Sequence, residues 1–280
     1  HKKEIGFDQD VTIINPKTDE ERSRRFRYAD LYWKENQRKG VTLLEARKLM
    51  RERNYFAAMM VNQGDADAMI TGYSRNYASS IKPLFETIGM QDGVSRIAAT
   101  NLMLTKRGPM FLADTTVNID PTPQQLEKIT QLTSNVAKLF GIKPIVAMLS
   151  FANFGASKSE RAQKMEVAVR RVHESCPELL VDGPIQVDFA LNAEMLEDKF
   201  PFSNLAGKKP NVLIFPNLDA ANITYKMIKE LNAVESVGPI LMGLKKPAHI
   251  LQLGASVDEM VNMAAVAVVD AQNKSRRKTT

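Results

Sequence analysis

The chain has 280 residues, a formal net charge of +6 and 44% hydrophobic residues, the composition of a globular protein with a sizeable core. A single cysteine excludes an internal disulfide, so we expect a reducing, cytoplasmic location, and three scattered histidines offer no metal site. The apolar stretch Met260–Val269 is far shorter than the ~20 residues of a membrane span, and the dispersed basic residues argue against nucleic acid as a partner.

The first 50 residues predict one short strand followed by two helices. Val11–Ile14 is typical of a strand, and the charged segment Thr18–Gln37 predicts a helix with one partly apolar side. Thr42 and Glu45 form a capping box, in which each residue satisfies a backbone amide of the other. A second helix is therefore predicted to begin directly after Thr42.

Two apolar runs, Tyr55–Val61 and Ala68–Thr71, flank a tight turn and are interpreted as strands and helix ends. Asp65 and Asp67 lie in this turn. Two aspartates at this spacing can bind Mg²⁺, but no third acidic ligand or P-loop accompanies them, so turn stabilisation is the favoured role.

A hydroxyl and a cation follow at what is predicted to be a helix terminus. Ser79 and Lys82 stand close together ahead of Pro83. Such groups suit the phosphates of a ligand, and a solvated helix face is the alternative.

From residue 93 onward, predicted strands alternate with predicted helices. The strands are Ile97–Thr105, Met110–Ala113 and Pro144–Ser150, and the helices are Pro123–Phe140 and Glu160–His173. This alternation predicts an α/β sandwich with a largely parallel sheet.

A later strand, residues 211–215, leads through a short loop into a helix that carries Asn222, Tyr225 and Lys226. Loops that follow strands are where open α/β sheets place ligands, so this unit is a candidate wall of a ligand cleft. The alternative is a capped core helix with Tyr225 half buried.

The C-terminal segment contains a second capping box. Ser256 and Glu259 predict a helix that begins near Val257, with Gly254 just upstream of its first turn. The free amides and the dipole of a helix N-terminus can accept an anion such as phosphate.

Several segments together carry a family resemblance. GPILMGLKKPAHILQLGASVDEMV, GDADAMITGYSRNYASSIKP and NVLIFPNLDAANITYK resemble phosphate acetyltransferases, and the likeness extends over nearly the whole chain. VNMAAVAVVDAQ and NFGAS are typical of the phosphotransacetylase-like C-terminal domain of NADP-dependent malic enzymes.

The resemblance implies a two-lobed α/β/α sandwich with largely parallel sheets, of the isocitrate and isopropylmalate dehydrogenase type. Residues 1–92 and 243–280 would form the first lobe, without the family's N-terminal βαβ unit, and residues 93–242 the second. A ligand cleft would lie between the two lobes.

The sequence departs from the family at its catalytic positions. Gln252 and Leu253 stand where the family has a Ser-Arg pair, and Glu259 stands at the catalytic aspartate. Lys82 and Asn36 replace two arginines. Constellations that act as a unit lose most of their rate when one member is lost, so the changes argue against transferase activity.

The leading hypothesis is therefore a catalytically degenerate domain that binds acetyl-CoA or CoA and regulates a malic enzyme. NADP and a divalent metal would bind only to an upstream malic enzyme domain, and self-association to at least a dimer is expected. The alternatives are an active phosphate acyltransferase with Glu259 as base, or an oligomerisation scaffold. The candidate ligand-binding residues are Ser79, Lys82, Asn222, Tyr225, Lys226, Gln252, Gly254 and Glu259.

Overall fold

The computed structural model describes residues 11–74, 76–231 and 234–276. Its helices are α1 (Arg22–Asn36), α2 (Leu43–Leu49), α3 (Arg53–Gln63), α4 (Tyr77–Thr87), α5 (Pro123–Leu139), α6 (Glu160–Ser175), α7 (Val187–Ala190), α8 (Ala193–Lys199), α9 (Leu218–Glu230) and α10 (Val257–Arg276). Its strands are β1 (Met69–Thr71), β2 (Ala98–Thr105), β3 (Gly108–Ala113), β4 (Ile145–Leu149), β5 (Leu180–Ile185), β6 (Val212–Ile214), β7 (Glu235–Met242) and β8 (Ala248–Ile250).

The larger sheet has six strands in the order β5-β4-β6-β3-β2-β7. The four strands β5, β4, β6 and β3 run parallel, whereas β2 is antiparallel to both of its neighbours, β3 and β7. The sheet is therefore mixed and largely parallel, as predicted.

Helices cover both faces of this sheet. The chain moves from β3 to β4 and β5 in one direction and reverses to reach β6. Because parallel crossovers are right-handed, the outward and returning helices lie on opposite faces. Alternate residues of β3 agree: Phe111 and Ala113 pack with the α5 and α6 core, and Met110 and Leu112 with the core beneath α8 and α9. This three-layer arrangement confirms the predicted α/β/α fold class.

A second, two-stranded sheet pairs β1 in parallel with β8, so the C-terminal segment returns to the N-terminal part of the chain. The backbone amide of Leu251 donates to the carbonyl of Thr71 at 2.7 Å just beyond the paired residues. Gly72 has a φ of +113°, and a Cβ there would collide with the Leu251 carbonyl oxygen. Only glycine at position 72 lets the chain that leaves β1 pass so close to the chain that leaves β8. The division into lobes at residues 92 and 243 stays a prediction.

One predicted element is wrong, and one that the sequence left open between strand and helix end is a helix. Within the described residues Val11–Ile14 forms no strand, and Ile13 is 72% exposed. Tyr55–Val61 lies within helix α3, whose first turn is capped by Glu52. A short apolar run that is buried on several sides has no distinct periodicity, so its pattern does not separate strand from helix.

The aspartate expected to stabilise the turn after α3 instead joins that turn to α1. Asp65 accepts hydrogen bonds from Tyr28 and Arg27 of α1, and these bonds hold the pKa of the carboxyl below its usual value despite some burial. The described residues contain no group of three potential metal-ligating side chains. No helix in the described part of the chain is long and apolar enough to cross a membrane.

Candidate functional site

The candidate site lies between the carboxyl ends of β1 and β8, in the two-stranded sheet, and helix α9, which follows β6 of the six-stranded sheet. The chain leaves β8 through residues 251–256 and enters α10 at Val257. Gln252 in this loop donates a hydrogen bond of 2.6 Å from Nε2 to the Tyr225 hydroxyl on α9. Tyr225 is only 1% exposed, so Gln252 is fixed against a buried ring. The structure thereby brings two predicted ligand-binding residues together.

Glu259 lies one turn into α10, and both of its carboxylate oxygens are engaged. Oε1 accepts from Lys229 of α9 at 2.7 Å, and Oε2 accepts from the backbone amide of Ser256 at 2.7 Å. The Ser256 hydroxyl accepts from the Glu259 amide at 3.2 Å, which completes the predicted capping box. Burial, the largest influence, disfavours the charge, yet the bonds from Lys229 and Ser256 together hold the pKa of Glu259 below its usual value.

Leu253 and Gly254, the first two of the three residues between Gln252 and the Ser256 cap, face solvent. Leu253 is 66% exposed, and its side chain offers no donor or charge to an anion. Gly254 has a φ of +76° and open space at the Cβ position. The loop therefore keeps room in front of the α10 N-terminus but lacks a cation at Leu253.

Asn36 and Lys82 belong to a different group of side chains, centred on Glu86 of α4. Lys82 lies 3.8 Å from one Glu86 oxygen, and Tyr32 and Tyr55 donate to the other at 3.1 and 2.5 Å. Burial, followed by Glu86, raises the pKa of both tyrosines. Asn36 is 3% exposed and donates to the Tyr32 carbonyl at 2.9 Å. Asn36 therefore has a structural role in α1.

The remaining predicted residues occupy three environments. The Ser79 hydroxyl donates to the Asn76 carbonyl at 2.9 Å in the first turn of α4. Asn222 donates to the Thr115 carbonyl at 3.0 Å and so fastens α9 to the loop after β3. Lys226 is exposed on α9, one residue beyond Tyr225, with its side chain open to solvent.

Two further polar groups lie beside one another: Tyr77, which sequence reasoning missed, and Asp114, which directly follows the predicted strand Met110–Ala113 and flanks a polar loop. The Tyr77 hydroxyl at the start of α4 is buried without a partner among the described residues, and burial followed by the charge of Asp114 raises its pKa. Asp114, after β3, accepts from the amides of Thr116 and Asn118 at 2.9 and 3.1 Å. Burial outweighs these bonds and raises the pKa of Asp114. The signal for Asp114 was its position at the end of a predicted strand, whereas no local pattern marked Tyr77.

The comparisons with known proteins agree with this architecture. The family profile described as Phosphate acetyl/butaryl transferase matches residues 1–268. An NADP-dependent malic enzyme from Salmonella typhimurium is 40% identical over 266 residues, covering 94% of this chain and 34% of that protein. A phosphate acetyltransferase from Corynebacterium glutamicum is 38% identical over 266 residues, covering 94% of this chain and 79% of its own length. A solved phosphotransacetylase from Streptococcus pyogenes superposes with a TM-score of 0.86 at 33% identity, covering 98% of this chain and 82% of that one.

The chain therefore belongs to the phosphate acetyl/butyryl transferase family, in its phosphotransacetylase-like branch. It is similar both to complete phosphate acetyltransferases and to one part of malic enzymes. It spans about a third of the length of the first curated relatives that it matches.

Proposed function

We propose that this chain is a regulatory, phosphotransacetylase-like domain of a malic enzyme that binds acetyl-CoA without turning it over. The observation that carries the proposal is the state of Glu259, the residue at the family's catalytic aspartate. Its two oxygens are occupied by Lys229 and by the α10 cap, and its pKa is lowered. A carboxylate with a lowered pKa is a weaker base, and these two bonds hold it in place rather than directing it at the proton of a CoA thiol.

The neighbouring residues support the same proposal. Leu253 supplies no charge where the resemblance expects an arginine, and Gln252 is held by Tyr225. Binding depends less on these groups, since a preformed cleft with a few polar anchors suffices to hold a ligand. Lys82 and Lys226 are the cations that we assign to the ligand phosphates.

In the complete protein, an upstream domain would hold NADP and a divalent metal and decarboxylate malate oxidatively to pyruvate. Acetyl-CoA bound to the present domain would shift the assembly towards a less active state. That regulation requires different affinities of acetyl-CoA for two conformations of the assembly.

A second candidate is an active phosphate acyltransferase with Glu259 as base. The comparisons favour it, because the chain covers 79% of the C. glutamicum phosphate acetyltransferase at 38% identity. In this alternative Lys229 moves away when substrate enters and frees the carboxylate.

Turnover separates the two candidates. The chain is mixed with acetyl-CoA and phosphate, and the loss of thioester absorbance is followed, which avoids interference from the free thiol of Cys176. We expect no sustained loss. Sustained formation of CoA and acetyl phosphate that Glu259→Gln abolishes and the exposed control Glu230→Gln preserves would establish the transferase instead. Absence of both turnover and binding would leave only a scaffold.

A further inference from the structure

At β4 and β6, two neighbouring parallel strands send the chain to opposite faces of the sheet. β4 leads into α6 on one face, and the adjacent β6 leads into α9 on the other. Open α/β sheets bind ligands in the crevice that such a reversal opens outside the carboxyl ends of the strands. The topology thus marks this crevice before any side chain is considered.

A cavity of about 680 Å³ occupies the crevice. Sites for small molecules commonly enclose roughly 300 to 1,000 Å³, so the volume suits a compact metabolite. Its walls come from the segments that follow four strands, with Ile119 after β3, Ser150 and Phe151 after β4, Val187 after β5 and Asn217 after β6.

The most deeply placed charge in the cavity is positive. The Lys164 side chain is only 17% exposed, and its ammonium donates to the Pro216 carbonyl at 2.9 Å and to Asp120 at 2.5 Å. An ammonium has three donors, so one remains for a ligand. Asp120 is 77% exposed and can turn to water, and Glu160 and Asp219 are also exposed at the rim.

Three large apolar side chains stand open around the same cavity. Ile119 is 75% exposed, Phe151 is 60% exposed and Val187 is 47% exposed. Single exposed apolar residues are ordinary, but a group that lines one concave site marks a surface for the carbon part of a ligand.

We propose that this crevice binds a small organic anion, a phosphate ester or a carboxylate. The anionic group of the ligand displaces Asp120 from Lys164 and accepts a hydrogen bond from the Ser150 hydroxyl. The apolar part of the ligand lies against Phe151 and Val187. Asn217 precedes Tyr225 by eight residues on α9, about 12 Å at 1.5 Å per residue, so the site is separate from the Gln252 cluster. It does not depend on the proposed function.

The test is a calorimetric titration of the complete chain with phenyl phosphate, benzoate and inorganic phosphate. We expect saturable binding of phenyl phosphate or benzoate with a Kd in the millimolar range or lower. Whichever of the two binds more tightly shows whether the site prefers a phosphate ester or a carboxylate. Inorganic phosphate should bind at least about tenfold more weakly, because it lacks an apolar part. Phe151→Ala, at a side chain that is 60% exposed, should remove most of this preference.

Charge variants separate recognition from general electrostatics. Lys164→Gln should weaken binding about tenfold or more, whereas Lys158→Gln, the same charge change at an exposed lysine outside the cavity, should not. Asp120→Asn should strengthen binding several-fold, because it removes the competitor for Lys164. Gln252→Ala should leave binding unchanged. No saturable binding of either aromatic anion, or binding equally insensitive to Lys164→Gln and Asp120→Asn, would overturn the proposal.

Discussion

Gln252 of the β8–α10 loop donates a hydrogen bond of 2.6 Å to the hydroxyl of Tyr225, a side chain buried in the core beneath α9. This bond joins the returning C-terminal segment to the larger sheet at the position where the family resemblance places a reactive serine. The residue at that position therefore acts as a structural tether.

The tether should be measurable as a coupling between the two side chains. Gln252→Ala and Tyr225→Phe should each lower the free energy of unfolding by about 1 kcal/mol, as expected for one partly buried neutral hydrogen bond. The double variant should cost less than the sum, since both changes remove the same bond. Urea denaturation measures all three, with Tyr73→Phe, at an exposed tyrosine, as the control. Strict additivity would contradict the tether.

How much of this site could be predicted depends on how far apart its partners lie in the sequence. The capping boxes Thr42–Glu45 and Ser256–Glu259 were predicted correctly, because both partners lie within one helical turn. The bonds from Gln252 to Tyr225 and from Lys229 to Glu259 span 27 and 30 residues. Such pairs follow no local period and form only when the folded chain brings α9 beside the β8–α10 loop and the first turn of α10.

The fold class was predictable because alternating strands and helices suffice to define it. The return of the C-terminal segment to the first lobe was expected only from the family resemblance, and its pairing of β1 with β8 was not predicted, since no local pattern joins segments so distant in sequence. Lys164 escaped notice for a related reason. Its role depends on the opposite directions that the chain takes after β4 and β6, and the order of the strands cannot be inferred from the residues of α6.

His249 on β8 should make stability depend on pH. Its ring is 1% exposed, both ring nitrogens lack partners among the described residues, and the Asp270 carboxylate lies 3.8 Å away. Burial lowers the pKa of His249 to about 4, with Asp270 opposing and Lys274 adding to that shift. The histidine of the unfolded chain has a pKa of about 6.5. Between about pH 6.5 and pH 4 the unfolded chain therefore binds a proton on this side chain, whereas the folded chain does not.

Stability should consequently fall as the pH drops from about 6.5 to about 4, by up to roughly 3 kcal/mol from this group. His249→Leu removes the titrating ring and should flatten that part of the profile. Denaturant unfolding of both proteins at several pH values gives the difference, in which other titrating groups cancel. If the stabilities of the two proteins changed with pH in parallel, His249 would bind its proton equally well in the folded and unfolded chains, which would contradict this prediction.

Self-association should use the outer face of α10. Part of the apolar run Met260–Val269 is core, since Met263 is 1% exposed and Val266 is 3% exposed. Val257, Val261 and Val268 instead form an outward stripe that is 72%, 61% and 55% exposed. A second copy that covers this stripe would remove it from water.

Sedimentation velocity at micromolar concentration should give at least a dimer, and Val261→Glu should shift it to monomer. Leu44→Glu introduces the same charge at a residue 65% exposed on α2 and should leave the assembly intact. A monomeric parent chain would contradict this prediction, as would equal disruption by both variants.

Two lysines should hold the phosphates of acetyl-CoA. Lys82→Ala and Lys226→Ala should each weaken binding about tenfold, the loss expected for one charge-assisted contact. Lys143 is an exposed lysine in the loop before β4, and Lys143→Ala should bind like the parent chain. Equal affinities for all four proteins would place the ligand elsewhere.

The most direct test of the account is a calorimetric titration of the chain with acetyl-CoA in the presence of phosphate, with the thioester assayed in the same sample afterwards. We predict saturable binding with the thioester intact. Absence of saturable heat at millimolar acetyl-CoA, or consumption of the thioester during the titration, would contradict binding without turnover.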